Sequence, residues 1–110
     1  MKIEFIKYSG HGNDFILIDK RFTHVDMTQD QIIKTCDRRF GVGADGLMLL
    51  QNEENYDFRM VYFNADGSQT FCGNGGRCAV AFAKYLEIIN TETNFIAVDG
   101  EHLATIENGI

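Results

Sequence analysis

"NADGSQTFCGNGGRCAVAFAKYL", Asn64–Leu86, is the stretch whose reading decides the fold. Asp66-Gly67 marks a tight turn, and "SQTF" returns from it as a short strand. The segment then enters "RCAVAFAKYLEII", which predicts a helix from about Gly75 to Leu86. That helix is apolar nearly all the way round, the pattern of a buried helix and not of one lying on a surface. Between strand and helix stands Cys72, followed by Gly-Asn-Gly-Gly. A helix N-terminus leaves backbone N–H groups pointing outward and favours negative charge. A thiol placed there tends toward the reactive thiolate form. Asn74 is suited to cap the helix. Gly73, Gly75 and Gly76 would let a ligand approach the backbone closely. A glycine-rich loop that merely turns the chain accounts for the same residues, so the residues alone leave both readings open.

Strands flank the helix on both sides in sequence. Upstream, "KIEFIKY" alternates as a strand near residues 2–8, "SGHGND" is a loop, and "DFILID" reads as a strand buried on both faces over Phe15 to Ile18. Thr28, with Gln31 three residues on, is a capping-box signature that opens a helix of two to three turns, stopped near Gly41. "GLMLLQ" and "DFRMVYF" are strands joined by a turn at "NEENY". Downstream, "NFIAVDGEHLATIE" is a hairpin turning at Asp99-Gly100. These elements predict an α+β domain in which a curved, mostly antiparallel sheet wraps around a central helix.

The 110 residues suffice for one domain with a modest core, and 45% hydrophobic with 24% charged residues is a globular composition. The net charge of −6, with no basic patch, argues against nucleic acid and anionic membranes as partners. "MKIEFIKYSG" carries charges where a signal peptide needs an apolar core, and no apolar run has the length that spans a bilayer. Three cysteines, an odd number, fit reduced thiols in a cytoplasm. The C-terminal "VDGEHLATIENGI" halts just after a second turn signal, which leads us to expect a chain cut from something longer.

Other candidate sites are weaker. "GVGADG", Gly41–Gly46, spells a dinucleotide fingerprint, but a helix precedes it and a strand follows, the reverse of the required context. A glycine-rich turn is the better reading. Cys72 and Cys78 lack a second Cys or His pair at zinc spacing, and His11, His24 and His102 are scattered, so no metal is expected. Cys36 and Cys78 sit inside helical patterns and read as small buried hydrophobes. Arg77 reads as a solvated first-turn arginine, with a carboxylate clamp as the alternative. A cysteine hydrolase would need His11 or His102 folded over Cys72.

Taken together and in order, "GHGNDFILID", "DRRFGVGADGLMLL" and "NADGSQTFCGNGGRCAVAF" resemble the N-terminal half of the diaminopimelate epimerase family, over Lys7 to about Leu86. The "CGNG" tetrapeptide favours that family over its proline racemase and phenazine-biosynthesis relatives. The resemblance implies a two-halved fold, each half a sheet curled round a helix, with the active site in the cleft between them. It implies an epimerase without pyridoxal or any other cofactor, which interconverts LL- and meso-diaminopimelate by proton transfer between two cysteines. By resemblance Cys72 is one of the two bases, Gly73 and Asn74 bind the α-carboxylate through their N–H groups, and Asn13 and Asn64 hydrogen-bond the distal amino-acid end. Asparagine can donate or accept, so either an ammonium or a carboxylate could be met there; a plain turn residue is the other reading. At Gly46 some members carry a glutamine that reaches the substrate, and here no side chain can. The implied partners are the amino-acid substrate and the C-terminal half that holds the second cysteine, without which the chain is expected to be inactive. Loss of that packing surface leaves a homodimer open. A non-catalytic carboxylate- or anion-binding module on the same fold is the alternative.

Overall fold

The computed structural model describes residues 5–10, 12–22, 27–70 and 73–105. The expected site residue Cys72 lies outside the described residues, as do His11 and His24. The elements run β1 (Ile6–Gly10), β2 (Asn13–Asp19), α1 (Gln29–Cys36), β3 (Gly46–Gln51), β4 (Phe58–Asn64), β5 (Gln69–Thr70), α2 (Gly73–Tyr85), β6 (Glu92–Ala97) and β7 (Gly100–Thr105).

The strands form one sheet in the order β1-β2-β3-β4-β6-β7, with β5 paired to β4 off that path. Pairs β1–β2, β3–β4, β4–β5 and β6–β7 are antiparallel, whereas β2–β3 and β4–β6 are parallel. A parallel neighbour requires a crossover; α1 supplies the first, and β5 with α2 the second.

Alternation along the strands sorts side chains to two faces. Phe15 and Leu17 of β2, Met48 and Leu50 of β3, and Phe58, Met60 and Tyr62 of β4 pack with Cys78, Ala79, Phe82 and Ala83 of α2. Ile6 and Tyr8 of β1, Phe95 of β6 and Ala104 of β7 join the same cluster, so strands from one edge of the sheet to the other meet around α2. That is the α+β architecture expected, a mostly antiparallel sheet wrapped around a helix. On the opposite face Ile16, Ile18, Leu47 and Leu49 pack against Ile32 and Cys36 of α1. A second helix therefore covers the other side of β2 and β3, which explains why Phe15–Ile18 and Leu47–Leu50 are apolar runs without alternation. Burial of each large side chain stabilises the fold by roughly 1.5–3 kcal/mol. Phe58 is fully buried and stacks on Phe95, with centroids 4.8 Å apart.

Three boundaries differ from expectation. First, α1 opens with the expected capping box, the Thr28 hydroxyl accepting from Gln31 N–H, but ends at Cys36, short of Gly41. The Asp37 carboxylate stops it by accepting from the N–H groups of Arg39 and Phe40. The N–H groups of Gly43 and Ala44 then satisfy the carbonyls of Thr35 and Cys36. Second, β1 starts at Ile6 among the described residues. Third, α2 starts at Gly73 and not at Gly75, because packing of the helix against the sheet outweighs the poor helix propensity of glycine. Asn74 is therefore a first-turn residue and not the cap.

Cys36 and Cys78 are both buried, as read from sequence. Arg77 is exposed, as expected of a solvated first-turn arginine. "GVGADG" links α1 to β3, with φ +86° at Gly43, so the turn reading holds. No described helix is long and apolar enough to cross a membrane, and no described group of three or more His, Cys, Asp or Glu is placed to hold a metal ion.

Candidate functional site

The parallel strands β2 and β3 begin at the same end of the sheet, and antiparallel β4 ends there. The register pairs Phe15 with Gly46, and Gly46 with Asn64. Two residues expected in the site, Asn13 and Asn64, are thus brought to one end of the sheet, on either side of β3.

Four charged residues hold that end together. The guanidinium of Arg38 grips Asp14 through two bonds, Nη1 to Oδ2 at 3.0 Å and Nη2 to Oδ1 at 2.7 Å. Its Nη2 also donates to Asp45 Oδ1 at 3.1 Å. Lys7 Nζ lies 3.1 Å from Asp14 Oδ2. Asp14 is mostly covered, with its side chain 18% exposed, while that of Arg38 is 57% exposed. The Arg38 hydrogen bonds hold the Asp14 carboxyl well below the usual carboxylate range, against the opposing effect of burial, and Lys7 adds to them. The paired Asp14 likewise holds the Arg38 guanidinium above its usual value.

Asp45 is the hub of this network. Its N–H donates to the Asp14 carbonyl at 2.9 Å, and its own carbonyl accepts from Ala65 N–H at 3.1 Å. Its Oδ2 accepts from Asp14 N–H at 3.1 Å and from Asn13 Nδ2 at 3.2 Å. One residue thereby ties the start of β2 to the turn after β4.

Asn64, the last residue of β4, leads into that turn. Its N–H donates to the Ser68 carbonyl, and its carbonyl accepts from Gly67 N–H. Gly67 has φ +85°, as the Asp-Gly turn signal predicts. The Asn64 Nδ2 donates to Ser68 Oγ at 2.9 Å, and the Ser68 hydroxyl donates to Asp66 Oδ1 at 2.6 Å. The Ser68 hydroxyl and N–H lower the Asp66 carboxyl below its usual range.

The fourth component is the beginning of α2. Gly73 and Asn74 are its first two residues, so their N–H groups are among the four that an α-helix leaves without an intrahelical acceptor. No acidic residue stands in the first turn to compete for them. Gly46 has no room for a side chain: a Cβ there would lie 2.5 Å from the Tyr62 phenol oxygen and 2.8 Å from the Phe63 carbonyl. A glutamine could not stand at this position with the present packing.

His102 is held on β7, where Nε2 lies 2.8 Å from Asp99 Oδ1 and the ring stacks on Phe95 at 5.1 Å. It is thus already engaged within its own hairpin. Sequence reading missed Asp14, Arg38, Asp45, Asp66 and Ser68. The available signal was charge clustered at the ends of apolar strand runs and in the adjoining turns, since a half-buried carboxylate requires a partner.

Residues 5–108 match the family model described as diaminopimelate epimerase. The chain is 59% identical to the diaminopimelate epimerase of Flavobacterium psychrophilum, over 98% of its own length and 43% of the relative's. It is 53% identical to that of Chlorobaculum tepidum, over 79% of its own length and 34% of the relative's. The chain therefore spans less than half the length of the curated relatives it matches. Among solved structures it is similar to the Bacillus anthracis phenazine biosynthesis protein of the PhzF family, with a TM-score of 0.72 at 19% identity, covering 97% of this chain and 37% of that one. A methylitaconate-delta-isomerase matches with a TM-score of 0.70 at 14% identity, covering 99% and 36% respectively. These two likenesses establish the fold alone. With the family model matching nearly its whole length, the chain belongs to the diaminopimelate epimerase family.

Proposed function

We propose that this chain is the N-terminal half of a cofactor-independent diaminopimelate epimerase and contributes one of two cysteine bases. Cys72 exchanges the α-proton on one face of the substrate, and a cysteine in a C-terminal half serves the other face. The α-carboxylate is bound by the N–H groups of Gly73 and Asn74. The observation that carries this reading is the convergence of Asn13 and Asn64 at one end of the sheet in a chain whose α2 begins directly after Cys72.

The chemistry follows from the parts. An α-C–H is a very weak acid, and removing its proton places negative charge beside a carboxylate. Donors fixed before the reaction stabilise that charge without reorganising. A helix N-terminus supplies such donors from the backbone alone. A carboxylate held there is also held beside Cys72, the next residue upstream, which sets the geometry for proton transfer. The implied setting is a cytoplasmic route to lysine and peptidoglycan precursors.

The test is incorporation of deuterium from D₂O at the α-carbon of meso-diaminopimelate. The 110-residue chain alone should give no exchange above background. Mixed with the C-terminal portion of the Flavobacterium psychrophilum relative, it should give exchange and epimerisation, both abolished by Cys72→Ala. Rapid exchange by the chain alone would refute the two-half mechanism. Full activity of Cys72→Ala in the mixture would remove Cys72 from it.

A further inference from the structure

Two phenylalanines share the same local chemistry in different settings. Phe22 is 80% exposed, with the Arg21 guanidinium 4.8 Å from its ring centre. Phe40 is 83% exposed, with the Arg39 guanidinium at 5.2 Å. Phe22 follows the far end of β2, away from the candidate site. Phe40 stands in the segment between α1 and β3, which leads into Gly46 at the end of the sheet shared by Asn13 and Asn64.

A single exposed aromatic is ordinary on a protein surface. Phe40 differs in how firmly its backbone is held. The Asp37 carboxylate accepts from the N–H groups of Arg39 and Phe40. Gly41 N–H donates to the Asp37 carbonyl at 2.9 Å, and Gly43 N–H to the Thr35 carbonyl at 3.0 Å. Gly41 lies so close to the last turn of α1 that a Cβ there would collide with the Lys34 carbonyl and lie 2.8 Å from that of Thr35. Arg38, two residues before Phe40, grips Asp14 and Asp45. The chain on both sides of Phe40 is thus fastened to α1 and to the start of β2, while its ring, and Val42 at 41%, stand in solvent. A ring held in water contributes no burial to this fold. Aromatic residues and arginine are enriched at interfaces, and a fixed backbone lowers the ordering cost of binding.

We infer that the Arg39–Val42 segment, with Phe40 as its anchor, is the surface on which the C-terminal half docks. The chain spans 43% and 34% of the length of the two curated relatives described above, so most of such a protein lies outside it. A reaction that exchanges a proton on each face of one carbon needs its second base within hydrogen-bond reach of the substrate. The portion carrying that base must therefore close over the end of the sheet beside which Phe40 is displayed. The inference rests on the proposed epimerase reading and deepens it by naming the contact surface.

The test is calorimetric titration of the 110-residue chain with the C-terminal portion of the Flavobacterium psychrophilum relative, for wild type, Phe40→Ser and Phe22→Ser. Phe40→Ser should weaken binding about thirtyfold, the scale of an interface hot spot. Phe22→Ser, beside the same kind of arginine but at the far end of β2, should stay within about twofold. Both variants should keep the urea midpoint of the chain alone within about 0.3 M of wild type, because neither ring is buried. Equal weakening by both variants, binding unchanged by Phe40→Ser, or no binding by wild type overturns the inference. A midpoint lowered by Phe40→Ser overturns it too, since the ring would then belong to the fold. So does a doubled mass in sedimentation that Phe40→Ser halves, which would assign the surface to a second copy of this chain. Deuterium exchange in the same mixtures tests the epimerase reading separately. Binding that Phe40→Ser weakens, with no exchange from wild type, keeps the docking surface and refutes that reading.

Discussion

Gly46→Ala tests whether space at the joint between β3 and β4 limits the fold. Gly46 is fully covered and does not have a positive φ, so alanine meets no conformational penalty there. The obstacle is room. The new methyl would lie 2.5 Å from the Tyr62 oxygen, and 2.8 Å from both Tyr62 Cζ and the Phe63 carbonyl. The Phe63 carbonyl belongs to the backbone of β4 and cannot rotate away. Tyr62 is 5% exposed, and its ring stands edge-on to Phe15 at 5.7 Å and 85°, so retreat of the phenol pushes on the core. Overpacking of this kind costs about 3 kcal/mol. Replacing glycine within a strand returns about 0.5–1 kcal/mol. The net loss is therefore about 2 kcal/mol, and with a urea slope of about 1–2 kcal/mol per molar the midpoint falls by about 1–2 M. Urea unfolding followed by far-UV circular dichroism reads this directly. A midpoint within about 0.3 M of wild type would refute the packing argument.

Two further outcomes follow from the same structure. The Asp14 carboxyl is held below its usual range by Arg38, so its contribution to stability is complete above about pH 4 and fades as pH falls toward its depressed folded-state value; Asp14→Asn should flatten this acid limb in urea midpoints taken from about pH 5 to pH 2, and an unchanged limb would refute the assignment. Thr28→Ala removes the hydroxyl that accepts from Gln31 N–H and should cost about 1 kcal/mol in the same urea assay, whereas a loss below about 0.3 kcal/mol would mean that water replaces the cap.

Much of the architecture was legible because its signals are local. The Thr28–Gln31 capping box, the Asp66-Gly67 turn and the hairpin at Asp99-Gly100 each carry their own chemistry within a few residues. The apolar run Phe15–Ile18 of β2 correctly indicated a strand buried on both faces. The two parallel junctions were not legible, since the local pattern of a strand does not name its neighbours. The start of α2 was misplaced because Gly73 to Gly76 are poor helix formers, and tertiary packing decided the boundary. Within the site, Asn13 and Asn64 came from the resemblance; their chemistry alone suits any turn. Arg38 and Asp45 were invisible because their meaning lies in partners far along the chain, 24 residues apart for Arg38 and Asp14 and 32 for Asp45 and Asn13.

The two parallel junctions also bear on how the sheet assembles and opens. They divide it into three pieces, each closed by short connections: β1–β2, β3–β4–β5 and β6–β7. Each piece can zip from its own turn, whereas joining the pieces requires closing the longer crossovers, a slower event with greater entropic cost. Asn13 belongs to the first piece and Asn64 to the second, with the Asp45–Asn13 bond and the grip of Arg38 on Asp14 spanning the junction between β2 and β3. The constellation is therefore a product of late assembly. Partial opening along that one line would scatter it while both hairpins stayed zipped, so amide exchange at the β2–β3 boundary is expected to report the integrity of the site more closely than global unfolding does.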